Sequence, residues 1–161
     1  MVGYGWPVSE GTVHLPGEGE NYELGGSRLS LKATEAETGG AFFLSETTVE
    51  PGFAGPPLHI HHQLTDMFYV LEGTLTFRVG EETIEGPPGT FVCAPPGTPH
   101  TFSNPSSEPV RFLNFNVPGG FERYMRDLVK AWEEAGGPPD PADLGAIASR
   151  YDFELAAPPT G

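Results

Sequence analysis

Glycine and proline cut most of this chain into short stretches, 22 and 18 of them making about a quarter of its 161 residues. That share approaches the range of disordered sequence, but the breakers alternate with segments rich in aromatic and β-branched residues. From Arg28 to Thr34, apolar Leu29, Leu31 and Ala33 alternate with polar positions, the period of a half-buried strand. Ala41 to Val49 reads as a second strand. After a turn-rich stretch from Pro51 to Pro57, the run Met67–Leu71 passes through Glu72-Gly73 into Thr74–Val79. That is a hairpin signal, with Gly73 suited to positive φ. Gly80-Glu81 turns into Thr83–Glu85, Pro87-Pro88-Gly89 leads to Thr90–Ala94, and Pro96-Gly97 has the type II pairing. Thr98–Ser103 and Val110–Val117 complete a set of short strands. So many, so closely spaced, predict an all-β sandwich or barrel over 28–117.

The texture changes beyond Pro118. Phe121, Tyr124, Met125, Leu128 and Trp132 recur at helical spacing, which predicts an amphipathic helix over 120–135. Gly136-Gly137-Pro138-Pro139 ends it, and Asp140 with Pro141 opens a second short helix over 141–150. Residues 156–161 read as a loose tail. Residues 1–25 read as an extended Gly-rich arm with room for one or two edge strands, anchored by Tyr4, Trp6, Val13 and Leu15. The length fits a single domain spanning 1–161.

Acidic residues outnumber basic ones by 22 to 8, for a formal net charge of −14. With the few bases scattered, neither nucleic acid nor an anionic membrane is an expected partner. A lone cysteine, Cys93, excludes an internal disulfide and a Cys-rich zinc site. No signal peptide or apolar span of membrane length is visible, so a cytoplasmic location is the default expectation.

In His59-Ile60-His61, an extended backbone aims both imidazoles one way and Ile60 the other. Two imidazoles on one face suit a borderline metal ion, although such a pair alone is more often structural. The surroundings change the odds. Gly73 follows His61 by twelve residues, with Asp66 seven before it, and Gly89 is followed by Pro95, Gly97, His100 and Asn104. This pattern resembles the two motifs of the cupin superfamily. The first reads glycine, His-x-His, four residues, glutamate, six residues, glycine. The second reads glycine, five residues, proline, one, glycine, two, histidine, three, asparagine. The second matches at every fixed position, and the first departs at one.

The resemblance implies a small cupin, a double-stranded β-helix or jelly-roll barrel, with two short C-terminal α-helices. It implies one divalent transition metal ion (Fe, Ni, Mn, Cu, Co or Zn) held by His59, His61, Asp66 and His100. Asp66 is the departure, since the motif has glutamate, and aspartate is shorter by about 1.5 Å. It is therefore expected to bind after a backbone shift, to bind through water, or to leave a three-histidine site. Glu72 is no substitute, because six residues of strand span about 20 Å. His62 faces outward by alternation, and His14 reads as an unpartnered surface residue. Cys93 reads as a small core residue, Pro95 and Gly97 as the turn presenting His100, and Asn104 as a backbone cap.

Phe68 shares a strand face with Asp66, and Phe102 with His100, so both phenylalanines either line a substrate cavity or fill the core. The stretch from Pro118 to Glu122, with the helices and Arg150-Tyr151, resembles small bacterial cupins related to quercetin dioxygenases, and places Phe121 at the barrel mouth. That resemblance implies a quercetinase-like dioxygenase acting on an aromatic or enol small molecule, with Asp66 as catalytic base. The alternatives are an O2-independent metal-dependent isomerase, cyclase or lyase, and a binding protein without turnover. Related small cupins suggest a homodimer, with the arm bearing Tyr4 and Trp6 lying across the partner.

Overall fold

The computed structural model describes residues 11–156. Two antiparallel sheets enclose the core. The larger runs in the order β1 (Glu20–Leu24), β2 (Ser27–Ala33), β3 (Phe43–Val49), β10 (Val110–Val117), β5 (Thr65–Glu72) and β8 (Phe91–Ala94). The smaller runs β11 (Glu154–Leu155), β4 (His59–Ile60), β9 (His100–Ser103), β6 (Leu75–Val79) and β7 (Glu82–Gly86). Helices α1 (Glu35–Thr38), α2 (Phe121–Ala135) and α3 (Pro141–Ala148) complete the described chain. The mostly-β architecture follows from the breakers: most strands end at or within two residues of a glycine or proline that removes a ladder bond or demands a turn, β2, β4 and β11 being exceptions.

Gly73 shows how tightly this is built. Its φ is +74°, and a Cβ there would lie 2.8 Å from the Pro109 carbonyl oxygen. Only glycine joins β5 to β6 at that separation.

Alternation along the strands sends one face inward. Val49, Phe68, Val70, Leu75, Phe77, Val92, Val110 and Phe112 form one buried cluster drawn from both sheets. A second cluster lies outside the barrel, where Tyr124 and Met125 of α2 pack with Ile147 and Ala148 of α3, with Phe153, and with Leu24 and Leu29 of the sheet edge. The amphipathic stripe of α2 therefore joins the helices to β1 and β2.

Several expectations need correction. Val13 and Leu15 are 78% and 59% exposed and anchor nothing, while Tyr4 and Trp6 lie outside the described residues. His14 is not an unpartnered surface residue: its Nε2 lies 2.8 Å from Glu37 Oε1, and both side chains are half-buried. Glu37 also accepts the Thr34 backbone N–H at 2.8 Å, so it holds the start of α1, a helix too short to show a period in the sequence. Cys93 is exposed on the outer face of β8, because Val92 and Ala94 take the inward positions. Helix α3 stops at Ala148, and β11 follows where no strand was expected. No helix among the described residues is long and apolar enough to cross a membrane.

Candidate metal centre

Strand β4 is only two residues long, yet it sets the first two ligands. His59 pairs with His100 of β9 across the small sheet, and His61 follows just beyond the strand. Asp66 comes from β5 in the opposite sheet, in register with Asn116 on one side and Ala94 on the other. All four side chains are buried, and one donor atom from each lies within 4.8 Å of the others. Asp66 Oδ2 is 3.1 Å from His100 Nε2 and 3.7 Å from His61 Nε2. Two donors bound at about 2.0–2.2 Å to one ion stand about this far apart. The shorter carboxylate thus lies within the cluster, as the first of the three expected outcomes requires.

Each histidine is oriented by its other nitrogen. His59 Nδ1 donates to the Pro57 carbonyl at 2.8 Å and His100 Nδ1 to the Thr98 carbonyl at 2.9 Å. His61 Nδ1 donates to the carbonyl of Asp152. A carbonyl oxygen only accepts, so every Nδ1 carries the proton and every Nε2 is turned inward as a potential ligand. The buried Nε2 of His61 has no hydrogen-bond partner among the described residues. An orphaned imidazole nitrogen facing a carboxylate and two further Nε2 atoms is the donor set a transition metal ion satisfies. These residues fit such an ion.

Electrostatics point the same way. Burial, with His100 close by, pushes His59 down to about 3, which leaves it neutral and its lone pair free. Burial opposes protonation of His61, but the Asp66 carboxylate and the Asp152 carbonyl outweigh it and raise its pKa. Burial also pushes Asp66 up, yet His100 and His61 overcome that and hold its carboxyl down at about 2. Asn114 and Asn116 both donate to Asp66 Oδ1 at 2.5 Å, leaving Oδ2 to face the histidines.

The remaining predicted residues fall in different places. Phe68 is 3% exposed in the barrel core, packed on Phe77, Phe102 and Phe112, with its ring 6.4 Å from that of His100. Phe102 packs against the same core, on Phe53, Phe68 and Phe112. Phe121 lies edge-on to His61 at 5.8 Å. His62 points outward to Glu154 at 2.5 Å, and exposed Glu72 pairs with Arg111. Buried Asn104 donates to the carbonyls of Glu50 and Glu108, and Gly97, at φ +85°, donates its N–H to the His61 carbonyl at 2.7 Å.

Sequence reasoning missed Asn114, Asn116, Asp152 and Phe153. The two asparagines left a signal: they occupy the inward positions that continue Val110 and Phe112 along β10, where a polar pair needs a reason. Asp152 and Phe153 left none.

Comparison with known proteins agrees with this geometry. A family model described as "Cupin domain" matches residues 45–116. The chain is 29% identical over 130 residues to quercetin 2,3-dioxygenase of Bacillus subtilis, covering 80% of this chain but only 37% of that protein. The polyketide cyclase RemF from Streptomyces resistomycificus superposes with a TM-score of 0.56 and 26% identity, over 66% of this chain and 78% of that one. KdgF from Halomonas sp. shares the fold, with a TM-score of 0.61 at 17% identity over 70% of this chain and 98% of that one.

Proposed function

The chain belongs to the cupin superfamily, and we propose that it is a metal-dependent dioxygenase of the quercetinase-like kind, acting on an aromatic or enol small molecule. One observation carries the reading. Three Nε2 atoms and one ionised carboxylate converge in a buried cluster, with the rings of Phe68 and Phe121 beside it. His59, His61, Asp66 and His100 would hold the ion, which supplies Lewis acidity toward a substrate oxygen.

The chain's own residues do the rest. Phe68 and Phe102, packed together in the core, exclude water there, and Phe121 offers a ring edge to a flat substrate. The core side chains nearest the cluster are uncharged, which favours a neutral or aromatic substrate. Asn114 and Asn116 fix the rotation of Asp66. A carboxyl held at about 2 is a feeble base, so we assign Asp66 to ligation first. Acceptance of a substrate hydroxyl proton, its second role, is then the weaker of the two.

Elemental analysis, followed by oxygen uptake with a flavonol, tests this. The expected result is one bound transition metal ion per chain and oxygen consumption that stops when the metal is removed. Bound metal without oxygen uptake for any enol would overturn it.

A second reading rests on the likeness to RemF, at 26% identity: an isomerase, cyclase or lyase that keeps the metal but not the oxygen. Turnover that persists without O2 separates it from the first.

A further inference from the structure

The three histidines are not oriented in the same way. His59 and His100 each find their carbonyl two residues back, at Pro57 and Thr98, within the turn that presents them. Two residues back from His61 is His59 itself, whose backbone lies in the β4 ladder, and the carbonyl that orients His61 instead comes from Asp152, 91 residues away. The same residue grips the chain a second time. Its carboxylate accepts the backbone N–H groups of His62 at 2.7 Å, Gln63 at 2.8 Å and Leu64 at 2.9 Å. One carboxylate satisfying three consecutive amides fixes the backbone that leaves His61, and with it the direction of that side chain.

The neighbouring residues complete a strap. Phe153 lies flat on His59, with ring centroids 4.2 Å apart and planes 9° from parallel, and stacks on Tyr124 at 5.0 Å. Glu154 and Leu155 pair with Ile60 and His59, and the Ala156 N–H reaches the Leu58 carbonyl. A surface strap with no role in the site has no need to present a carbonyl to one ligand and a ring to another.

We propose that the strap Tyr151–Ala156 is a working part of the metal centre, with Asp152 the positioning residue that sets His61. This rests on the metal-centre reading above. Partners of this kind around a ligand change metal affinity by about 10–100-fold. The coupling is also reciprocal: metal binding tightens the strap as the docked strap tightens metal binding.

The test uses the full chain and Co(II) alone. Asp152→Ala removes the three-amide grip, and Asp152→Asn retains one acceptor oxygen. Asp140→Ala is the matched control, since Asp140 accepts one backbone N–H from Ala142 at 2.8 Å to cap α3. Chelator competition is expected to show Co(II) binding weakened about 10–100-fold in Asp152→Ala, less in Asp152→Asn, and within about twofold of native in the control. The visible bands of the Co(II)-loaded Asp152→Ala chain should also shift, which a general loss of stability would not cause. In the native chain, Co(II) should slow chymotrypsin cleavage after Tyr151 and Phe153. Binding by Asp152→Ala within about twofold of the control, with unchanged bands, overturns the strap's role and leaves the metal centre standing. A native chain that takes up no Co(II) overturns both. Should Asp152→Ala fail to fold, absence of Co(II) protection in the native chain overturns the proposal.

Discussion

The barrel has two halves built on the same strands. Toward one end of β5 and β10 the inward residues are Phe68, Val70, Val110 and Phe112; toward the other they are Asp66, Asn114 and Asn116. Both halves are buried, but they hold together by different physics. The aromatic half is stabilised by area removed from water and by rings packed 5–6 Å apart. The polar half loses hydration on burial and recovers it only through directed hydrogen bonds. Among the described residues it leaves Asn116 Oδ1 and His61 Nε2 without partners, and the second of these, turned toward the other donors, is its capacity to bind. Stability is concentrated in one half and chemistry in the other.

The largest test of that division is Phe112→Ala, which should cost about 3–5 kcal/mol of unfolding free energy in a urea titration. The folded fraction should still take up metal. A loss below about 1 kcal/mol would mean the aromatic half does not carry the fold.

His100→Ala should do the reverse. It should weaken metal binding by more than the ~100-fold ceiling of an outer partner, measured by chelator competition, while the metal-free chain loses only about 1–3 kcal/mol, from an Asp66 carboxylate deprived of one partner. A large drop in metal-free stability would erase the contrast.

Acidification sharpens it further. His59 is held near 3 in the fold against an ordinary 6.5, so the unfolded chain takes up a proton first as pH falls. Its contribution is complete above 6.5 and is lost between about 6.5 and 3. Asp66, held near 2 against 3.8, loses its contribution in the last part of that descent. His61 is raised, so its contribution is intact below 6.5 and is lost only as pH climbs through its folded value. Urea titrations of the metal-free chain at pH 7, 5 and 3.5 should therefore show falling stability, and His59→Gln should flatten the upper part of the fall. Equal slopes in the two chains would contradict it.

The smallest effect belongs to Asn116→Ala, about 1–3 kcal/mol, from an under-bonded Asp66 carboxylate. Restored stability in a double variant with Asp66→Ala would confirm that the two act as one unit.

Much of this was legible beforehand. Local spacing carried the strands and the two C-terminal helices, because alternation and turn chemistry are properties of neighbours in sequence, while the four clustered side chains came from the resemblance to the cupin motifs. What the sequence concealed depends on neighbours in space. Asp152 reaches His61 across 91 residues, and Phe153 meets His59 through the two-residue pairing of β11 with β4. Helix α1 and strand β11 are too short to impose a period of their own. Cys93 was misplaced because a single apolar residue in a strand does not say which face it occupies, and its inward neighbours Val92 and Ala94 decide that.

The two asparagines of β10 have one more consequence. Asn116 stands directly opposite Asp66, and the next residue along, Phe115, stands opposite Met67. Sliding β10 by one residue against β5 would withdraw the amide from Asp66, offer it a phenyl ring instead, and carry Arg111 toward the core. In any alternating strand such a slip already turns the apolar residues toward water, and in β10 the polar pair adds to that penalty. Here a buried carboxylate without its amides makes the wrong alignment expensive. The polar half of the barrel thus serves as a registration mark for the central strands, a service to the assembly of the fold that it performs whether or not an ion is ever bound.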